Sequence, residues 1–309
     1  MNTFYAKIIA TNQTTYDTNT LSVLTETMAK NEVNMQRPTT LRIAEDIFLT
    51  EGDVYYFETE PTIHNEKEQQ KVLHYRHVND CELKLSEKER LMRTFYDFAP
   101  VDIEVVKTSV EAYLKQLKNP VISKITQTLY DKYSDSFYLY PAATKFHHAY
   151  IGGLAHHTET MLRVSEGLLK IYPFLNKDLL ISGIILHDIC KTIELSNYKE
   201  PEYTKEGRLI GHITMGVKAI TKVAIENDLY DTEERLLLEH MILSHHYYGN
   251  FGSPKKPNIP EALVLHFIDN IDSKLAVLGE TLKTIEPGTF TSPIPVLDRE
   301  KFYKAKLKK

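Results

Sequence analysis

The sequence predicts two domains in 309 residues: a small N-terminal β-barrel followed by an all-α helical bundle. Three observations carry that expectation. Up to about Val78 the chain alternates short β-branched and aromatic runs with turn residues. From Ser86 onward apolar residues recur at helical spacing, and the continuous apolar run Leu179 to Leu186 ends in His187-Asp188. The expected boundaries are 1–85 for the barrel and 86–309 for the helical part, with a helical connector over 86–140.

Composition narrows the class. A hydrophobic content of 42% with 26% charged residues is that of a globular protein with a real core. The net charge of −5 argues against a surface coated in nucleic-acid-binding charge, so any polyanion contact must be a local basic strip. Cys81 and Cys190 are too few for a disulfide framework, and no apolar run of 18 residues or cleavable leader appears. The expected compartment is the cytoplasm, with no membrane association.

In chain order, residues 4–9, 20–24 and 53–59 read as strands, with Gly52-Asp53 and Glu60-Pro61 as turns and Gln69 to Val78 as a closing strand. Thr25 to Thr40 reads as polar and irregular. Tyr5, Tyr16, Tyr55, Tyr56, Phe57 and Tyr75, near Lys7 and Arg42, can form either core or a base-stacking face. Ser86 to Glu89 has the form of a helix cap and acidic first turn. Val106, Val110, Tyr113, Leu114 and Leu117 mark one helix, ended by Asn119-Pro120, and Ile122, Ile125, Leu129 and Tyr133 a second.

The chemistry-bearing residues recur at the ends of apolar helical segments. An imidazole and a carboxylate are poorly placed beside an apolar run unless something compensates them, and a divalent metal does. Candidate companions of His187 and Asp188 are His157, His212, His245, His246 and Asp269. His157 shares a helical stripe with Met161, Val164 and Leu168, whereas His156 lies about 100° away and reads as surface or supporting. His212 follows Gly211 at a helix start. Leu237, Met241 and His245 form one stripe, Leu238, Ile242 and His246 the next; His240 and His266 read as structural. Asp269 and Asp272 share a helix face. Lys191, one turn past His187, is a catalytic candidate beside Asp188 or else a solvated helix end. Lys255 and Lys256 are candidates for steering a nucleic acid at the pocket mouth, and Arg299 to Lys309, with six basic residues, reads as a solvated tail.

The ordered set H, HD, H, HH, D resembles that of the HD-domain metal-dependent phosphohydrolases. The longer phrases Phe146 to Thr158, Phe251 to Pro257 and His266 to Lys274 resemble the YhaM-type 3′→5′ exoribonucleases over about 140–280. That resemblance implies an OB-like N-terminal domain, although the usual glycine turn between strands two and three is not visible. It also implies Asp269 as a ligand, with Asp272 and His148 supporting the ligands from behind. His157, His187, Asp188 and Asp269 suffice for one metal, and His212, His245 and His246 for a second, with Asp188 bridging. One or two transition-metal ions per chain are expected. The donor set suits Mn, Fe, Co, Ni or Zn better than Mg, and the resemblance favours Mn²⁺ or Co²⁺. The implied reaction is hydrolysis of single-stranded RNA, with single-stranded DNA a further candidate, from the 3′ end to nucleoside 5′-monophosphates. Two alternatives stay open: an HD phosphohydrolase for a small nucleotide, and a non-enzymatic single-strand-binding protein. A homo-oligomer is a further expectation.

Overall fold

A computed structural model describes residues 1–13, 18–26, 39–44, 47, 49–64, 67–144 and 148–307. Tyr16, most of the stretch read as irregular between Thr25 and Thr40, Phe146, His147 and the last two lysines lie outside the described residues. The chain divides into two compact units, Met1–Asp97 and Phe98–Lys309.

The first unit is an OB-like closed barrel. Its strands are β1 (Asn2–Gln13), β2 (Thr18–Thr25), β3 (Thr39–Ala44), β4 (Val54–His64) and β5 (Lys67–His77), in the order β1-β2-β3-β5-β4. The β3–β5 pairing is parallel and the other pairings are antiparallel. Alternation sends Ala6, Ile8, Leu21, Val23, Leu41, Ile43, Tyr55 and Phe57 inward. Tyr55 and Phe57 are therefore core, while Tyr5 and Tyr56, paired across β1 and β4, are half-buried with ring centroids 5.4 Å apart.

Three local readings change. Glu60-Pro61 is no turn: β4 continues to His64. Its last β1 pairing is Asn2↔Thr59, so among the described residues Pro61 has no neighbouring strand on that side and a proline is tolerated. Strand β3 emerges from the end of the segment read as irregular. Helix α1 (Leu85–Phe95) starts before Ser86, with Lys84 as its N-cap and the Glu87 carboxylate accepting from the Lys84 N–H at 3.0 Å.

The second unit is helical: α2 (Ile103–Leu114), α3 (Pro120–Phe137), α4 (Gly153–Ile171), α5 (Lys177–Leu186), the single turn α6 (Lys191–Glu194), α7 (Lys205–Glu226), α8 (Glu233–Ser244) and α9 (Pro260–Lys283). Asn119-Pro120 starts α3 as well as separating it from α2, since the Asn119 side chain accepts from the Val121 and Ile122 N–H groups. From Leu179 to Leu186 helix α5 is buried on every side, as so apolar a run must be. Gly183 lets Met241 of α8 approach it; a Cβ there would overlap the methionine methyl. The central helix therefore delivers His187-Asp188 into the bundle. No helix among the described residues is long and apolar enough to cross a membrane.

Candidate metal centre

Four histidines are held by one ring nitrogen so that the other faces one of two adjoining ligand clusters. His187 and His245 each follow the last residue of a helix, where carbonyls lack an intrahelical donor. Each uses Nδ1–H to satisfy the carbonyl three residues back, Ile184 and Ile242, at 2.7 Å in both cases. This fixes Nδ1 as the donor and leaves Nε2 as a lone-pair ligand. His212 stands just past Gly211, whose φ of 76° breaks α7 into two helical segments, as the sequence position of that glycine predicts. The Glu194 carboxylate accepts from the His212 backbone N–H at 2.9 Å and from Nδ1 at 3.1 Å, orienting the ring while capping the segment. His157 directs Nδ1 to Asp272 at 2.6 Å, and Asp272 also accepts from His148 Nε2 at 2.8 Å.

The opposite atoms converge. Asp188 Oδ1 lies 3.2 Å from His212 Nε2 and 3.9 Å from His245 Nε2, while Oδ2 lies 3.3 Å from His187 Nε2. His157 Nε2 is 3.4 Å from Asp269 Oδ1. Ligand atoms of Asp188, His212, His245 and His246 all fall within 4.8 Å of one another, and so do those of His157, His187 and Asp269. Asp188 thus presents one oxygen to each group. His187 Nε2, Asp188 Oδ1, His212 Nε2 and His245 Nε2 are buried without a hydrogen-bond partner. Such orphaned polar atoms are expensive in a folded interior, and a divalent ion is the partner this donor set fits.

Charge follows the same geometry. Burial disfavours ionised Asp188, but Lys191 and His187 beside it hold its carboxyl well below the usual carboxylate range. Burial, with His246 and His187 close by, pushes His245 well down, so the ring is neutral and ligand-ready. Burial also opposes a charged His157, yet its hydrogen bonds to the Asp269 and Asp272 carboxylates prevail and raise it to about 9. Lys191 begins α6 and is no solvated helix end: its ammonium lies 2.7 Å from Asp188 Oδ2 and donates to the Ala142 carbonyl at 2.6 Å.

A cavity of about 590 Å³ opens on this cluster, lined among others by Asp188, Lys191, His212, His246, Asp269 and Lys274. Lys255 and Lys256 do not line it; Lys256 sits 4.9 Å over the Tyr247 ring. Among the described residues the lysines at the cavity are Lys191 and Lys274, the latter the last residue of the phrase His266 to Lys274. Glu194 was missed altogether, although a carboxylate between Ile193 and Leu195 was a visible signal. His266, read as structural, lines the cavity, and its Nδ1 bonds the His245 carbonyl at 2.8 Å. His240 accepts from the Asn258 N–H. His156 is half-buried and hydrogen-bonded to the Tyr150 hydroxyl at 2.8 Å, and burial pushes it down to about 4.

Residues 154–274 match the HD domain family. The 3′-5′ exoribonuclease YhaM of Bacillus pumilus is 42% identical over 75% of this chain and 75% of its own length. The chain belongs to the YhaM 3′-5′ exoribonuclease family. YhaM of a Geobacillus species is 44% identical over 68% of the chain and 64% of its own length, and that of Bacillus subtilis 40% over 75% and 76%. No solved structure matches. For a YhaM-family HD domain, divalent metal binding follows, and the unpartnered Nε2 and Oδ1 atoms are where this chain has room for it.

Proposed function

We propose that this chain is a metal-dependent 3′→5′ exoribonuclease that hydrolyses single-stranded RNA, and single-stranded DNA as a further substrate, to nucleoside 5′-monophosphates. The observation that carries the reading is the convergence of four buried, unpartnered ligand atoms, each imidazole among them anchored through its other nitrogen. In this reading His157, His187, Asp188 and Asp269 would hold one ion and His212, His245 and His246 a second, with Asp188 able to serve both through its two oxygens. Asp272, His148 and Glu194 orient the ligand rings. Bound ions supply Lewis acidity toward a phosphate oxygen and bring the pKa of water toward neutrality. Mn²⁺ or Co²⁺ is the proposed occupant.

The chain's own groups do the rest. Lys191 balances the Asp188 charge and faces the cavity, where its ammonium can meet a non-bridging phosphate oxygen. Lys274 offers a second cation from α9 at the cavity wall, a stronger candidate for backbone contact than Lys255 and Lys256. The barrel is the proposed RNA-holding domain, 1–85 by sequence, and the helical part, 86–309, the catalytic one. Tyr5, Tyr56 and Arg76 are aligned across β1, β4 and β5, a row of two aromatics and a cation suited to stacked bases.

The test is incubation of purified protein with 5′-labelled single-stranded RNA and Mn²⁺. A ladder shortening from the 3′ end is expected, abolished in Asp188→Ala. Turnover of mononucleotides alone, with RNA left intact, would instead establish a small-nucleotide phosphohydrolase.

A further inference from the structure

The segment after α9 turns back on itself. Gly288 N–H donates to the Lys304 carbonyl at 2.7 Å, Thr291 N–H to Phe302 at 2.9 Å and Ile294 N–H to Glu300 at 3.1 Å, and the Phe290 and Tyr303 rings meet at 5.1 Å. Residues 288–304 therefore form a hairpin, and the first part of the basic stretch, Arg299 to Lys304, is its return arm. Its tip, Pro295–Leu297 followed by Asp298, places Val296 and Asp298 in the wall of the catalytic cavity. Asp298 and Arg299 are consecutive non-glycine residues with positive φ, 55° and 61°, a sparsely populated conformation. The tip is fixed by Leu297 and Arg299 N–H groups on the Ile294 carbonyl, both at 3.0 Å.

Asp298 differs from the other acids lining the cavity. Asp188 is engaged by Lys191 and three histidines, Glu194 by His212, and Asp269 by His157. The Asp298 carboxylate is exposed and has no hydrogen bond or ion pair among the described residues. A free carboxylate facing a polyanion repels phosphate; on RNA it can accept from base N–H groups or ribose hydroxyls, and only the hydroxyls are common to every strand end. In a 3′→5′ exonuclease the last nucleotide lies beyond the scissile phosphate, and its ribose hydroxyls are the strand's distinguishing end.

We propose that Asp298 is the specificity-determining residue that reads the terminal ribose. It accepts hydrogen bonds from the 2′- and 3′-hydroxyls of the last nucleotide and excludes strands that end in a 3′-phosphate. This rests on the exoribonuclease reading. A cavity of about 590 Å³ is large enough for one nucleotide, small-ligand pockets spanning about 300–1,000 Å³.

The experiment compares wild type with Asp298→Asn and Asp298→Ala in the full chain with Mn²⁺. Three otherwise identical RNAs are used, ending in a ribose 3′-hydroxyl, a 2′-deoxyribose 3′-hydroxyl or a 3′-phosphate. Asparagine keeps the shape and tolerates the left-handed conformation, so the fold and metal content should persist. Wild type should prefer the hydroxyl end over the phosphate end. Both variants should narrow that kcat/KM ratio at least tenfold, losing on the hydroxyl substrate and gaining on the phosphate one, and should respond less to removal of the 2′-hydroxyl. Equal wild-type rates on all three ends, or an unchanged ratio in the variants, would overturn the assignment while leaving the exonuclease intact. Absence of any ladder from wild type on the hydroxyl-ended RNA would remove the exonuclease reading and this one with it.

Discussion

Replacing Glu194 by alanine is expected to weaken metal binding without touching a ligand. The carboxylate accepts from the His212 backbone N–H at 2.9 Å and from Nδ1 at 3.1 Å, and is only 6% exposed. Two part-buried donors lose their acceptor in Glu194→Ala. Each such orphaned group destabilises by about 1–3 kcal/mol, so the melting temperature should fall even in chelator-treated protein. Loss of an acceptor behind a metal-binding histidine typically lowers affinity or activity about 10–100-fold, or roughly 1.4–2.8 kcal/mol. Glu194→Gln keeps one carbonyl oxygen for the two donors and should show a smaller loss. The assay is Mn²⁺ titration against a competing chelator, with circular dichroism confirming retained helix, and the Mn²⁺-induced rise in melting temperature should shrink in parallel. If the alanine variant binds Mn²⁺ as wild type does, His212 is not held for a metal by Glu194 and the argument fails.

Replacing His245 and His246 together should lower bound metal from two ions per chain toward one and reduce kcat more than RNA affinity; elemental analysis with single-turnover kinetics decides it. Because His157 is raised to about 9 from an ordinary value near 6.5, chelator-treated protein should hold this part of its stability fully below about pH 6.5. It should lose it as pH climbs through about 9, and denaturant titrations that are flat across this window would exclude the His157–Asp269–Asp272 pairing. Lys274→Ala should reduce the slope of log affinity for single-stranded RNA against log salt by about 0.7, whereas Lys255→Ala with Lys256→Ala should change it less. Tyr5→Ala with Tyr56→Ala should weaken binding of long RNA by about 1–3 kcal/mol per lost stacked base and leave dinucleotide turnover unchanged, read by filter binding beside a dinucleotide assay.

The sequence by itself determined the two textures of the chain and the helix ends that carry the His-Asp pair and its companions, while the full set of seven residues that the structure brings together also drew on the family resemblance. It could do so because a buried apolar helix ending in His-Asp is locally unfavourable, and periodicity places His157 on the same face as Met161 and His245 on that of Met241. Barrel closure, by contrast, depends on the parallel β3–β5 pairing between Leu41 and Gln70, a contact between strands distant in sequence that no local propensity encodes. Partnering was likewise invisible: Lys191 reads equally as solvent-facing until Asp188 and the Ala142 carbonyl are brought to it, and Glu194 has no role until the break at Gly211 turns His212 toward it. Which lysine faces the cavity depends on the rotation of α9, and the Asp298 turn reaches it only because hydrogen bonds between residues 288 and 304 fold the end of the chain back. Apart from the Asp188–Lys191 pair, which is three residues apart, those decisions belong to tertiary structure because each joins groups whose sequence separation exceeds any helical or strand period.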